Sequence, residues 1–87
     1  MQDVKELVGT IMRVLDQAEI TEAEILDLEF EAEGEMLDAL NAAYINLLEF
    51  VHDRDMRRAD PAVDRRERRD LQDSLNRIVQ LSDARLH

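Results

Sequence analysis

Glu49 and His52, spaced as Glu-x-x-His, are the pair in this sequence best suited to chemistry. On a helix that spacing puts a carboxylate and an imidazole on one side, as in four-helix di-iron sites. Glu29 and Glu33 lie four residues apart and prolong the stripe of Leu37, Leu40, Tyr44 and Leu47. Across two chains, Glu29, Glu33, Glu49 and His52 could form a carboxylate and histidine metal set. Helical periodicity weighs against it, because Glu49 and His52 fall on the polar side beside Asp53.

An inward carboxylate needs a partner if it is buried. Arg13 lies close to Glu29 if the first helix packs antiparallel, so an inter-helix ion pair between Arg13 and Glu29 is expected. A shared acidic pocket for a cation or a basic segment is a second possibility. The plain alternative is that the tight core ends near Leu37 and both glutamates are solvated.

Other catalytic chemistry has little to stand on. The chain has no cysteine, so disulfides and thiolate metal sites are excluded. Ser74, Ser82, Thr10 and Thr21 sit in ordinary helical or capping contexts, and His52 and His87 are the only imidazoles. Two glycines do not make a phosphate loop. The expected function is therefore non-enzymatic, with no cofactor.

Charge is distributed unevenly. The formal net charge is −10, and nearly all of the excess lies before residue 40, where only Lys5 and Arg13 are basic. That balance argues against a phosphate-binding surface, and aromatics at 3% argue against a stacking platform for single strands. No nucleic-acid partner is expected. The acidic run of Glu22, Glu24, Asp27, Glu29, Glu31, Glu33 and Glu35 suits a basic protein partner. Spread around a helix, it reads as a solvated face. Its sharper alternative is mimicry of DNA phosphate. Arg65, Arg66, Arg68 and Arg69 alternate with Asp60, Asp64, Glu67, Asp70 and Asp73, which reads as a salt-bridged solvent face.

Three helices are predicted to position these residues, within one domain covering residues 1–87. The first runs from about Asp3, its cap, to Ala18, with Val4, Leu7, Val8, Ile11, Leu15 and Ala18 on one face. Gly9 within it suggests a close helix crossing. Thr21 and Glu24 form a capping box, with Ile20 and Ile25 as a hydrophobic staple. From there one long helix is predicted over residues 22–58, with Gly34 as the place where it could bend. No segment shows the two-residue alternation of a strand. Asp60 and Pro61 then start a third helix over about residues 61–85, with Leu71, Leu75, Ile78, Val79 and Leu86 on its apolar face.

An unbroken middle helix would be roughly 55 Å long at 1.5 Å per residue. Met36, Leu37, Ala39, Leu40, Ala43, Tyr44, Leu47, Leu48, Phe50 and Val51 cover about half its circumference. Two shorter antiparallel neighbours cannot hide that much, and a chain of 87 residues without disulfides gains by association. The expected architecture is all-α, an antiparallel three-helix arrangement built on one long central helix and assembling as a helical-bundle dimer or a dimer of dimers. Its interface would be Met36, Ala39, Ala43, Tyr44, Leu47 and Phe50, which could also dock a partner helix.

No apolar run reaches membrane-spanning length and the N-terminus lacks a basic leader, so a cytoplasmic location is expected. The leading functional expectation is a small acidic interaction module: an adaptor, regulator or chaperone-like binder. A carboxylate and histidine metal-binding bundle and an acidic DNA-mimic inhibitor are the alternatives.

Overall fold

The computed structural model describes residues 3–85, an all-α fold whose principal extents are 44 × 24 × 19 Å. Five helices follow in order: α1 Lys5–Leu15, α2 Glu22–Leu26, α3 Gly34–His52, α4 Arg54–Ala59 and α5 Pro61–Arg85. No helix among the described residues is long and apolar enough to cross a membrane.

The first helix is shorter than predicted at both ends. Asp3 lies two residues before its first residue, where its carboxylate accepts from the Lys5 amide at 3.4 Å. Its backbone exchanges two hydrogen bonds with Glu31, donating at 2.8 Å and accepting at 3.0 Å. The far end closes when Gln17 takes a left-handed φ of 70°. Its amide donates to the Val14 carbonyl and the Ala18 amide to the Arg13 carbonyl, at 3.1 and 2.9 Å. This pairing satisfies carbonyls a helix end leaves open, at a position that normally prefers glycine. Gly9 marks no close crossing: a methyl group there would meet nothing within 4 Å.

The capping box forms as predicted. The Glu24 amide donates to Thr21 Oγ1 (3.2 Å), and the Thr21 amide donates to the Glu24 carboxylate (3.1 Å). The helix it starts, however, lasts only to Leu26. The long middle helix is therefore a misreading, and its physical cause is in residues 27–33. There Asp27, Glu29, Glu31 and Glu33 alternate with Leu28, Phe30 and Ala32, the first set exposed and the second half-buried against the core. In a helix, Leu28 and Phe30 would point about 200° apart and one would face water. Glu29 and Glu33 would also repel across one turn, as would Glu31 and Glu35. An extended chain puts every apolar residue inward and every carboxylate outward. Gly34, with φ 61°, then turns the chain into α3, a conformation that favours glycine.

The folded-back segment changes the account of the core. Met36, Ala39, Ala43, Leu47 and Phe50 are all at most 4% exposed within one chain. Tyr44 is half-buried, its ring centroid 5.8 Å from that of Phe30. The groove expected beside these residues is filled by Leu7, Ile11, Val14, Ile25, Leu71 and Ile78, with Leu28 and Phe30 packed against them. The surplus of apolar surface that called for a second copy was a property of the unbroken helix, and it disappears when the helix breaks. The apolar side chains left outside are different ones: Met12, Leu26, Ile45, Met56 and Val79.

The third predicted helix is found at its predicted bounds as α5. Pro61 occupies its first position, and the Asp60 carboxylate accepts from the Ala62 amide at 2.9 Å. Leu71 and Ile78 are buried, Val79 is exposed, and Leu86 lies outside the described residues. Arg57–Asp64 and Asn46–Ser74 contacts show α5 running antiparallel to α4 and α3.

Candidate functional site

Two regions carry the charge chemistry of the chain. The first is the extended segment over residues 28–33, an acidic ledge that follows directly on Asp27, the αR cap of α2. Residues two apart in an extended chain share a face and stand about 6.6–6.8 Å apart. The carboxylates of Glu29, Glu31 and Glu33 thus form a single exposed row, where a helix would have scattered them, and exposed Asp27 stands at its start on the cap of α2. None of the four forms an ion pair among the described residues.

The backbone of the ledge is used along one edge. Glu31 pairs with Asp3, and the Glu29 amide donates to the Glu6 carboxylate at 2.9 Å. The amides and carbonyls of Phe30 and Ala32 point to the other edge by strand alternation and have no partner among the described residues. A cavity of about 560 Å³ borders the ledge, lined by Asp3, Leu28, Glu29, Phe30, Glu31 and Tyr44.

The second region is an arginine and carboxyl knot where α3, α4 and α5 meet. Phe50 is its floor. The Arg57 guanidinium lies 3.4 Å from the Phe50 ring centroid and that of Arg68 lies 5.0 Å away. Arg57 donates through Nε to the Phe50 carbonyl (2.8 Å) and through Nη1 to Asp64 (3.1 Å). Arg68 donates to Asp64 (2.9 Å) and to the Val14 carbonyl on α1 (2.7 Å). The acid-first spacing of Asp64 and Arg68 is thus an ion pair, as its sequence suggested.

Both carboxyls on α5 are perturbed, in opposite directions. Burial works against the charge of Asp64, but hydrogen bonds from Arg68 and Arg57 and their positive charge outweigh it, so its pKa lies below the ordinary value. Glu67 is 6% exposed, and burial pushes its carboxyl up. The Asp53 carboxyl, of like charge, pushes further. Arg57 and Arg66 oppose this, and the pKa stands at about 7. Arg57 Nε is 3.6 Å from Glu67 Oε2, too long for a hydrogen bond, and that oxygen has no hydrogen-bond partner.

The residues singled out in the sequence do not gather. Arg13 pairs with Glu24 at 3.7 Å, not with Glu29, because the chain leaves the helix at Asp27 and carries Glu29 to the ledge. His52 sits 3.2 Å from Glu22, Glu49 is exposed on α3, and Glu29 and Glu33 belong to the ledge. Glu29, Glu33, Glu49 and His52 therefore form no common site within one chain. No three carboxylate or imidazole groups converge as a metal site among the described residues.

No known protein family, curated protein or solved structure matches this chain. The two regions stand on their own geometry.

Glu67 is the residue that sequence reasoning missed. Its sequence neighbours, arginines and aspartates, read as a solvent face. Yet Glu67 lies four residues before Leu71 and eleven before Ile78, on the stripe that α5 buries. That periodicity was available and was overridden by its charged neighbours.

Proposed function

We propose that the protein is a small non-enzymatic binding module, an adaptor, regulator or chaperone-like binder, that receives a basic protein segment along residues 27–33. The observation that carries this function is the exposed row Glu29, Glu31 and Glu33 with Asp27 at its start, which has no basic counterpart in its own chain among the described residues. Three carboxylates in line, with Asp27 at their start, repel one another and steer cations toward the ledge. The free backbone groups of Phe30 and Ala32 favour strand addition as the mode of docking, since an extended basic peptide repeats its side chains with the same period of two. Helix docking at Met36, Ala39, Ala43 and Phe50 is set aside because those residues are buried.

The test is affinity capture from the native cell extract with the intact protein and with the double variant Glu29→Lys, Glu31→Lys. Basic partners retained at low salt should be lost from the variant and from the intact protein at high salt. The same proteins recovered in every arm would remove the ledge from the function. Phosphate mimicry is a second use of the same regular row; it requires that duplex DNA compete for the captured protein.

Self-association belongs to the same proposal, through exposed Met12 and half-buried Leu15 and Leu75, which border a cavity of about 540 Å³ between α1 and α5. So does a cytoplasmic location. A molar mass of one chain by light scattering at micromolar concentration would set the oligomer aside.

A further inference from the structure

Arg54, Arg57 and Arg58 stand at positions i, i+3 and i+4 of α4, so one face of a six-residue helix carries three like charges. They border a groove of about 470 Å³ between α4 and the turn after α1, where Arg68 joins them from α5. The nearby carboxylates do not match these four cations one for one. Asp64 serves both Arg57 and Arg68, and Glu22 faces His52. Glu67 lies 3.6 Å from Arg57 Nε and does not line the groove. Arg54 and Arg58 are left to share one carboxylate, Glu19, at 3.6 and 3.7 Å, both beyond hydrogen-bond length. The Glu19 side chain is 81% exposed, and an ion pair in water is weak, so Glu19 is a displaceable counter-ion.

We propose that this groove binds a small phosphate monoester, whose oxygens replace the Glu19 carboxylate between Arg54 and Arg58. The site shares no residue with the ledge and does not rest on the function proposed for it.

Charge and shape select this class of ligand. A free carboxylate carries the same charge as Glu19 but lacks its tether, so it gains little by exchange. A phosphate monoester is close to a dianion at neutral pH and has three acceptor oxygens, enough for both outer guanidiniums and one further donor. That donor is available on the inner wall. Arg57 and Arg68 have each committed Nε and Nη1, and each keeps an Nη2 group without a hydrogen bond among the described residues. Asp64 and the Phe50 and Val14 carbonyls already hold these two side chains in place, so little ordering is required of them. Half-buried Ile20 and Val51 line the same groove and offer an apolar wall to the group that the phosphate esterifies. The formal charge of −10 repels an extended polyanion, which favours a small ligand over a nucleic acid.

Titration of the intact protein with phenyl phosphate at about pH 7.5, where the dianion dominates, followed by backbone amide shifts, tests the site. The shifts should saturate and cluster at residues 17–22 and 50–58. Inorganic phosphate should bind at the same place more weakly, because it lacks the ring that meets Ile20 and Val51. Benzoate, with the ring but a single charge, should bind about tenfold more weakly than phenyl phosphate or worse. The double variant Arg54→Gln, Arg58→Gln alters two exposed side chains outside the knot. It should lose about tenfold or more in affinity while its urea midpoint stays in place. Glu19→Gln should bind phenyl phosphate about threefold more tightly or better, since the competing carboxylate is gone. Absence of saturable shifts, or shifts that map elsewhere, would overturn the site. So would benzoate binding as well as phenyl phosphate, unchanged affinity in the arginine variant, or a Glu19→Gln variant that binds no more tightly.

Discussion

The acidic ledge and the arginine and carboxyl knot are built from the same residue types and behave in opposite ways. On the ledge, Asp27, Glu29, Glu31 and Glu33 stand in water beside no cation of the described residues, and the fold asks nothing of their charge. In the knot, Asp64 and Glu67 are drawn under α4, and each is altered by what surrounds it. Water screens the first set, while the second must be satisfied by protein groups or by a proton. The contrast separates the part of the molecule available to partners from the part that holds it together.

Removing the centre of the knot should have the largest effect. Arg57→Ala strips Asp64 and the Phe50 carbonyl of a donor and takes the guanidinium off the Phe50 ring. Leaving buried groups uncompensated should cost about 3 kcal/mol in urea unfolding. A loss under about 1 kcal/mol would mean that the knot resembles an exposed ion pair.

The pH profile of stability comes next. Glu67 carries a pKa raised from 4.5 to about 7, so the folded chain holds a proton there that the unfolded chain has released. Its contribution to stability is complete below about pH 4.5 and is lost as the pH rises to about 7. Asp64 works the other way: its stabilisation is present above its ordinary value of 3.8 and is lost as the pH falls through its lowered folded value. Glu67→Gln should abolish the decline between pH 4.5 and 7 and leave the acid limb, as read by thermal unfolding across pH.

Left-handed positions outside the knot should give smaller changes of opposite sign. Gly34→Ala, at φ 61°, should destabilise by about 1–2 kcal/mol, because that residue turns the ledge into α3. Gln17→Gly, at φ 70°, should stabilise by up to about 1 kcal/mol, since it relieves the same strain where the chain already accepts it.

The smallest effect sharpens the comparison most. Glu29→Lys with Glu31→Lys should move stability by about 0.5 kcal/mol or less, as expected at exposed sites, while changing partner binding. A large loss of stability would make the ledge part of the fold's own support.

Several of these features were legible along the chain. The Thr21 and Glu24 capping box and the Asp60–Pro61 start of α5 depend on residues two or three apart, so local chemistry suffices to specify them. The ledge was not legible: Leu28, Phe30 and Ala32 alternate with carboxylates over too few residues to outweigh the capping signal just upstream and the helix-compatible glutamates. The Arg13 partner and the scattered Glu29, Glu33, Glu49 and His52 depended on that helix and moved with it.

By itself, the sequence determined an all-α chain with a strong helix start at Thr21, a last helix beginning at Pro61, and an acidic first half. Only the tertiary structure decided that residues 28–33 run extended and fold Phe30 against Tyr44, that Met36 and Phe50 are covered within one chain, and that Glu67 is enclosed beside Arg57. The physical reason is range: caps and turns are satisfied by near neighbours in sequence, whereas burial of a side chain depends on which distant segment arrives to cover it.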